Sequence, residues 1–485
     1  MSKQRISPFL KQCFVSATVS FTTIGHGSVV GFPAILLPQL KQPDSHITLT
    51  EEEGSWIASV TAITLLLGSF MAPPIMGKLG RKFAHFVVIA NILVGWIVIL
   101  LSKSFEAIII GRVIHGMSFG LMLPLRSVLL GEYTSPKNRG AFLTMVSVAQ
   151  AFGILLVHLI GSYISWQKTI LILISFPLAS LLMTFFIPES PSWLAARGRY
   201  DDCRKTFRWL RGDGEEAELE EMIRARCESN RATISNCKDL MVLFKKKEFY
   251  KPIVIMIHSY LMGEFSGGAL MSCYSTTVIS HLAGPGVDAH VWMIALDAQR
   301  NISNIMAVYV VNKVKRRTMF MSTGGLCILS NIAIACYVYA KIQGWMTYTA
   351  VWLPILLINI QFFTVAVGMV CLPYVIAGEI FPLEYRSVGG SISIVSIASG
   401  YFLVTKTFPV MLDSIGLHGS YAVYAAAMSY NLCVVWWLLP ETKGRTLQQI
   451  EEHFRGKPLV PEEVEVRQSL KDKEKVDVEK SKVDS

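Results

Sequence analysis

The sequence predicts an all-α membrane protein, with twelve transmembrane helices arranged as two pseudo-symmetric six-helix bundles. Three observations predict it. Of the 485 residues, 52% are hydrophobic and only 16% charged, whereas a soluble domain carries about 25% charged residues. Apolar runs of spanning length, roughly 20 residues, recur near 12–38, 55–77, 83–102, 106–131, 141–163, 169–188, 252–281, 289–312, 318–341, 347–377, 388–412 and 420–439. Motifs at the ends of these runs repeat between the two halves of the chain. A soluble fold cannot bury so many long helices that are apolar all round. The short alternating segments of a membrane β-barrel are absent.

The first run follows Lys3, Arg5 and Lys11, as a signal peptide would. It is too long for one and lacks a small-residue cleavage site, so it reads as a retained helix. The loop 39–54 ends in the acidic run Glu51-Glu52-Glu53. If the amino terminus is cytoplasmic, the short inner loops hold Lys78, Arg81, Lys82, Lys137, Arg139, Lys313, Lys315, Arg316, Arg317 and Arg386, and the outer loops hold only Lys41, Lys103, Lys168 and Lys341. That is the positive-inside bias, and it puts both termini in the cytoplasm. It also accounts for the net charge of +10 without nucleic acid as a partner.

After six runs comes the charged segment 189–251, with Arg197, Arg199, Arg204, Lys205, Arg208 and Arg211 followed by an acidic stretch from Glu215 to Glu221. It reads as cytoplasmic helices under the bundle. The chain therefore divides into an N-terminal bundle 1–188, a helical linker 189–251, a C-terminal bundle 252–441 and a cytoplasmic tail 442–485. The tail after about 455 is charged and poor in aromatics, a composition expected to stay disordered. Nine cysteines lack paired spacing, which argues against a disulfide framework or a zinc site. Asn301-Ile302-Ser303 fits a glycosylation pattern but lies inside a predicted span.

The halves echo each other. GKLGRK (77–82) follows the second run and NKVKRR (312–317) the eighth. GEYTSPKNRG (131–140) ends the fourth run and GEIFPLEYRS (378–387) the tenth. PESPSW (188–193) ends the sixth and PETKG (440–444) the twelfth. Parallel repeats of this kind belong to transporters that rock two bundles about a central site.

These motifs, with PESPSWL (188–194), GRVIHGMSFG (111–120), VTKTF (404–408) and PETKGRTLQQIEEHF (440–454), resemble the sugar-porter family of major facilitator carriers over about residues 10–455. The resemblance implies the major facilitator fold. It also implies a gating network of Arg81, Glu132, Arg139, Glu189, Arg316, Glu379, Arg386 and Glu441, whose charges pair across the bundle interface when the inner gate is shut. The competing reading is topology charge at the lipid headgroups. Two acids of the family pattern are missing: Gly77 and Asn312 stand in their places, and Lys315 replaces a glycine.

The resemblance places the solute site at mid-membrane between the halves. In the seventh run, GEFSGGALMSCY (263–274) keeps Ser266, Gly267 and Tyr274, but Gly263 and Glu264 replace a glutamine pair and Ala269 an asparagine. Tyr374 stands for a tryptophan after the kept Pro373, Ile397-Ala398 for Asn-Trp, and Ser147 for a glutamine, with Gln150 one turn away. Arg300 holds an asparagine position, flanked by Asp297 and Asn301. The expected substrate-binding set is Ser147, Gln150, Glu264, Ser266, Tyr274, Arg300 and Tyr374. Ionisable groups at membrane depth are costly and so are functional candidates by default. Two readings stay open for Arg300: ligand contact, or an internal ion pair with Asp297 or Glu264. Arg126 reads as snorkelling to the cytoplasm or as a ligand contact. His26 and His158 read as packing residues or as pH-sensitive groups.

The resemblance implies a facilitative carrier of a hexose or a trehalose-like disaccharide, working by alternating access in the plasma membrane. The first run has no acid, unlike proton-driven relatives, which favours a facilitator. No enzyme activity, cofactor or metal is expected, and no phosphate-binding loop is present. The partners expected are a small solute and the lipid bilayer, with the chain working as a monomer. The rival readings are a carrier of an organic ion that uses Glu264 and Arg300, and a solute sensor that does not transport.

Overall fold

The computed structural model describes residues 7–43, 45–212, 247–284, 287–345, 352–381, 386–443 and 447–456, with single residues of 215–223 and Arg445 besides. Every regular element among the described residues is a helix. In the first half these are α1 (Pro8–Gly31), α2 (Pro33–Leu40), α3 (Glu51–Leu79), α4 (Arg81–Leu100), α5 (Phe105–Tyr133), α6 (Pro136–Gly161), α7 (Trp166–Leu173) and α8 (Ser175–Phe186). Two short helices follow, α9 (Pro191–Ala196) and α10 (Tyr200–Arg211). The second half comprises α11 (Lys247–Gly263), α12 (Ala269–Ala283), α13 (Ala289–Lys313), α14 (Arg316–Ile342), α15 (Trp352–Thr364), α16 (Cys371–Ile380), α17 (Arg386–Leu438) and α18 (Leu447–Arg455).

Among the described residues, ten helical stretches are long and apolar enough to cross a membrane. One of them, Ser393–Leu438, has 46 residues, about twice what a bilayer needs. It turns at Gly416, where φ is 70°, and so supplies both the eleventh and twelfth spans. The eighth span, α13, carries Asp297 and Arg300 in its middle. The total is the predicted twelve spans in two groups of six.

The predicted start of the second span at 55 is corrected. The helix begins at Glu51, because Thr50 and Glu53 form a capping box: Glu53 N–H donates to Thr50 Oγ1 at 3.2 Å and Thr50 N–H donates to the Glu53 carboxylate at 2.8 Å. The acidic run read as the end of a loop is instead the first helical turn, where its charge meets the positive end of the helix dipole.

Within the first half, glycine lets spans touch backbone to backbone. Gly27 on the first span lies against the carbonyl of Gln150 on the fifth, and Gly153 answers against the carbonyl of Ile24, so no Cβ fits at either position. Gly68 and Gly120 do the same for the second and fourth spans. Packing of this kind replaces the hydrophobic drive that lipid does not supply. In the second half two spans are broken near their middles. The seventh is interrupted by a π-helical turn, Glu264–Gly268, with Gly267 at φ 101°. The tenth has a matching turn at Val365–Met369. The Ser266 carbonyl freed by the first break accepts from Gln361 Nε2 at 3.0 Å, and the same amide donates to Asn331 Oδ1 at 2.6 Å.

The start of α1, the helix α18 and the linker helices share one side, called proximal here. Trp193 Nε1 and Arg197 donate to the carbonyl of Gly77, and Arg211 donates to that of Thr134. Helices α9 and α10 thus dock beneath the first half. Leu194, Ala195, Cys203, Phe207 and Leu219 form their small core. Residues 224–246 of the predicted linker and the tail beyond 456 lie outside the described residues. The halves meet where the second span packs on the eleventh, the fifth on the eighth and the first on the seventh.

Candidate functional site

On the proximal side the two halves carry the same clamp. Arg81 opens the third span and grips Glu132 of the fourth through two bonds of 2.9 Å. Glu189, from the end of the sixth span, accepts the backbone N–H groups of Arg81 at 2.8 Å and Lys82 at 3.1 Å, so a carboxylate caps a helix start. Ser190 donates to Glu132 at 2.5 Å. In the second half, Arg316 grips Glu379 at 3.1 and 3.3 Å. Glu441 accepts from the backbone of Arg316 and Arg317 at 2.9 and 3.1 Å. Thr442 donates to Glu379 at 2.6 Å.

Six of the eight expected gating residues therefore meet, but in pairs internal to each half. Pairing across the interface, expected with the inner gate shut, is not seen among the described residues of this conformation. The pairing is set by where each arginine sits, at the first residue of a helix beside the acid of the next span. Arg139 has its Nε buried without a hydrogen-bond partner. The side chain of Arg386 lies outside the described residues.

At mid-membrane the structure brings Gln150, Tyr374 and Glu264 toward the interface between the halves, and adds Arg126. Arg126 Nη1 donates to Gln150 Oε1 at 2.9 Å, tying the fourth span to the fifth. Its charge is felt by Tyr374 of the other half. Arg126 is thus held toward the interface and does not snorkel to the headgroups. Tyr374 is 48% exposed and meets Tyr260 edge-on at 5.4 Å between ring centroids. Glu264 packs against Gly400, where a Cβ would come within 2.8 Å of its Cγ, and it lies in electrostatic reach of Tyr374 and Tyr401. Ser147 is exposed, on the same helical side as Gln150.

Three expected binding residues are committed elsewhere. Ser266 donates to the Gly263 carbonyl at 2.5 Å. Tyr274 is buried and donates to the Thr405 carbonyl at 3.1 Å. Arg300 is 8% exposed, 3.5 Å from Asp297 and 3.2 Å from Ser272 Oγ. Of the two readings for Arg300, the structure carries the internal pair, with Asp297 and not Glu264 as its acid.

The side opposite the termini, called distal here, is sealed by contacts between the halves. Lys406 Nζ lies 2.8 Å from Ser55 Oγ and 4.1 Å above the Trp56 ring, and Trp56 also meets Phe402 at 6.1 Å. Thr276 donates to the Ala34 carbonyl at 3.3 Å. Cys273 Sγ lies 3.1 Å from Tyr401 Oη and 3.7 Å from the Val30 carbonyl. His158 joins Asp297 at 2.5 Å. Halves joined on one side, with polar and ionisable groups beside their interface at mid-depth, are the arrangement a two-sided carrier needs.

The sequence reading missed Arg112, fully buried on the fourth span. It donates to the carbonyls of Val29 at 2.6 Å and Ile57 at 2.9 Å, joining three spans without a carboxylate. A cation inside the apolar run 106–131 was the available signal. His26 is a packing residue: its ring bonds the Thr22 carbonyl and Ser118 Oγ, both at 3.0 Å.

A family model described as Sugar (and other) transporter matches residues 12–454. The facilitated trehalose transporter Tret1 of Culex quinquefasciatus is 28% identical over 455 residues, covering 92% of this chain and 87% of that protein. The Bombyx mori protein of the same name is 27% identical over 444 residues, covering 90% and 85%. That of Aedes aegypti is 27% identical and the match covers 91% of this chain but 55% of that protein, so the chain spans about half the length of this relative. Among solved structures, the inward-open xylose transporter XylE from E. coli superposes with a TM-score of 0.73 at 17% identity, covering 92% of this chain and 100% of that one. XylE bound to 6-bromo-6-deoxy-D-glucose gives the same score. The fold is that of the major facilitator carriers, and the chain belongs to the Sugar (and other) transporter family.

Proposed function

We propose that the protein is a facilitative carrier of a hexose or a trehalose-like disaccharide, working by alternating access in the plasma membrane as a monomer with both termini in the cytoplasm. The distal side is then the outside. The observation that carries the reading is the distal seal between the halves, made by Lys406, Trp56 and Cys273, with Gln150, Tyr374 and Glu264 beside the interface at mid-depth. Amide, phenol and carboxylate groups can exchange hydrogen bonds with sugar hydroxyls, and an aromatic face suits a sugar ring. The relatives named as trehalose transporters support the substrate class.

The organic-ion reading loses one of its two counter-charges, since Arg300 is paired with Asp297. Uptake of labelled glucose and trehalose into vesicles, with and without a pH gradient and against a panel of organic anions and cations, tests the proposal. Saturable sugar uptake that needs no gradient supports it. Movement of charged solutes alone, or strict dependence on the gradient, overturns it.

A further inference from the structure

His158 belongs to the fifth span and Asp297 to the eighth, so their contact joins the two halves across the distal seal. Nδ1 of His158 lies 2.5 Å from Asp297 Oδ2, and Nε2 lies 3.1 Å from the Gly31 carbonyl oxygen. Both side chains are buried, 0% and 5% exposed. A carbonyl oxygen only accepts, so Nε2 must carry hydrogen. Nδ1 then faces a carboxyl group. Either Nδ1 also carries hydrogen and donates to the carboxylate, or the carboxylic acid donates to Nδ1. In both arrangements the pair holds one proton more than a neutral imidazole and an ionised carboxylate hold apart.

On the eighth span, Arg300 lies 3.5 Å from the second oxygen of Asp297, and His290 is bonded to Ser162 of the fifth span at 3.2 Å. The seventh span contributes the Ser272 hydroxyl, taken by Arg300, and the first span only the Gly31 carbonyl. The tenth span contributes the Asn359 carbonyl, bonded to Gln299. Arg112 of the fourth span is committed to the carbonyls of Val29 and Ile57.

Opening the distal side moves the fifth span off the eighth. Asp297 keeps Arg300 as its counter-charge, while His158 turns to water, where an imidazole ordinarily gives up its extra proton above about pH 6.5. We propose that His158 and Asp297 form a proton-operated latch of the outer gate, so that closing this gate takes up one proton from the outside and external alkalinity favours opening. The inference rests on the two-sided carrier reading and its orientation, but not on the identity of the solute.

Cys273 reports the gate, since it is buried in the seal between Val30 and Tyr401. Cys327, buried within the second half alone, reports unfolding. The full-length protein in proteoliposomes is treated with a membrane-impermeant thiol reagent from either side between pH 6 and 8.5, and each site is read by peptide mass spectrometry. His158→Gln and Asp297→Asn are measured in parallel, so the ordinary rise of thiol reactivity with pH cancels in the ratio of native to variant.

One linked proton makes the open-to-closed ratio rise by up to about tenfold per pH unit above pH 6.5. The expected result is that outer-side labelling of native Cys273 rises with pH relative to both variants. Both variants should label faster than the native protein at pH 6, by about tenfold, and the double variant no faster than either single one. A native-to-variant ratio that stays flat with pH overturns the proposal, as does Cys273 labelling that rises only in step with Cys327. Labelling of Cys273 reached solely from the proximal side would overturn the proposal by removing the distal gate it describes.

Discussion

Arg81 and Glu132 face each other through two parallel bonds of 2.9 Å, and Arg316 and Glu379 repeat the relationship in the other half. These pairs are partly shielded, at 15% and 14% exposure for the first, so each bond counts for more than a surface ion pair does. Arg81→Ala leaves Glu132 bonded to Ser190 and removes one of the links between the third and fourth spans. A stability loss of about 1.5–3 kcal/mol is expected, together with reduced uptake. Arg316→Ala should behave alike, because the geometry is repeated. Thermal unfolding in detergent and initial uptake rates measure both; a change confined to one half would contradict the equivalence of the two clamps.

Glu264 stands at the interface with no cation paired to it among the described residues, while Arg126 is held by Gln150 in the opposite half. Glu264→Gln keeps the shape and removes the charge. If the carboxylate accepts from the solute, the apparent KM for sugar should rise by about fivefold to tenfold, because the amide oxygen makes a hydrogen bond about half as strong as the carboxylate does, with little change in the amount of folded protein. Competition by alternative sugars should change in the same variant. Unaltered KM and unaltered competition would make Glu264 a structural residue.

The break in the seventh span depends on two features, Gly267 at φ 101° and the amide of Gln361 that takes the freed Ser266 carbonyl. Gly267→Ala places a Cβ within 2.6 Å of Gln361 Nε2 and strains a backbone that favours glycine. Gln361→Leu leaves the carbonyl and Asn331 with fewer partners, at a cost of about 1–3 kcal/mol. Both variants should lower the yield of monodisperse protein in size-exclusion chromatography and the unfolding temperature. Native behaviour of Gly267→Ala would show that the break is not needed.

In the linker, burial among Leu194, Phe207 and Leu219 pushes the Cys203 thiol up to about 11. Only the thiolate reacts, so alkylation at pH 7.5 should run about a hundredfold slower than in the denatured chain, with the difference shrinking as the pH nears 11. Peptide mass spectrometry after a timed pulse gives the ratio. Equal rates in native and denatured protein would mean that α9 and α10 do not hold this core.

Much of the fold was legible in the sequence because a bilayer imposes its own rule. Each crossing needs one long apolar run, so the runs at 12–38 and 106–131 declared themselves without knowledge of their neighbours. The eighth span shows the limit of that rule. It was read as an apolar run at 289–312 like the others, although Asp297 and Arg300 lower its hydropathy. The boundary at Glu51 was misplaced because an acidic triplet suits a loop as well as a first helical turn; the reciprocal bonds of Thr50 and Glu53 distinguish the two.

The site was legible only in part. Residue types alone made Glu264 a partner for Arg300, but the helix rotations placed Arg300 beside Asp297 and left Glu264 at the interface. Clamp residues were found because their motifs repeat, yet their pairing within each half follows from how the third and ninth spans start. What the sequence by itself determined was the number of spans, their division into two equivalent halves and the chemical kinds of group available at mid-membrane, since these follow from local runs and motif order. Which of those groups meet, as His158 meets Asp297 across 139 positions of chain, was decided by the tertiary structure alone. Such a contact depends on the tilt and rotation of whole helices, and those are set by packing between spans far apart in the chain.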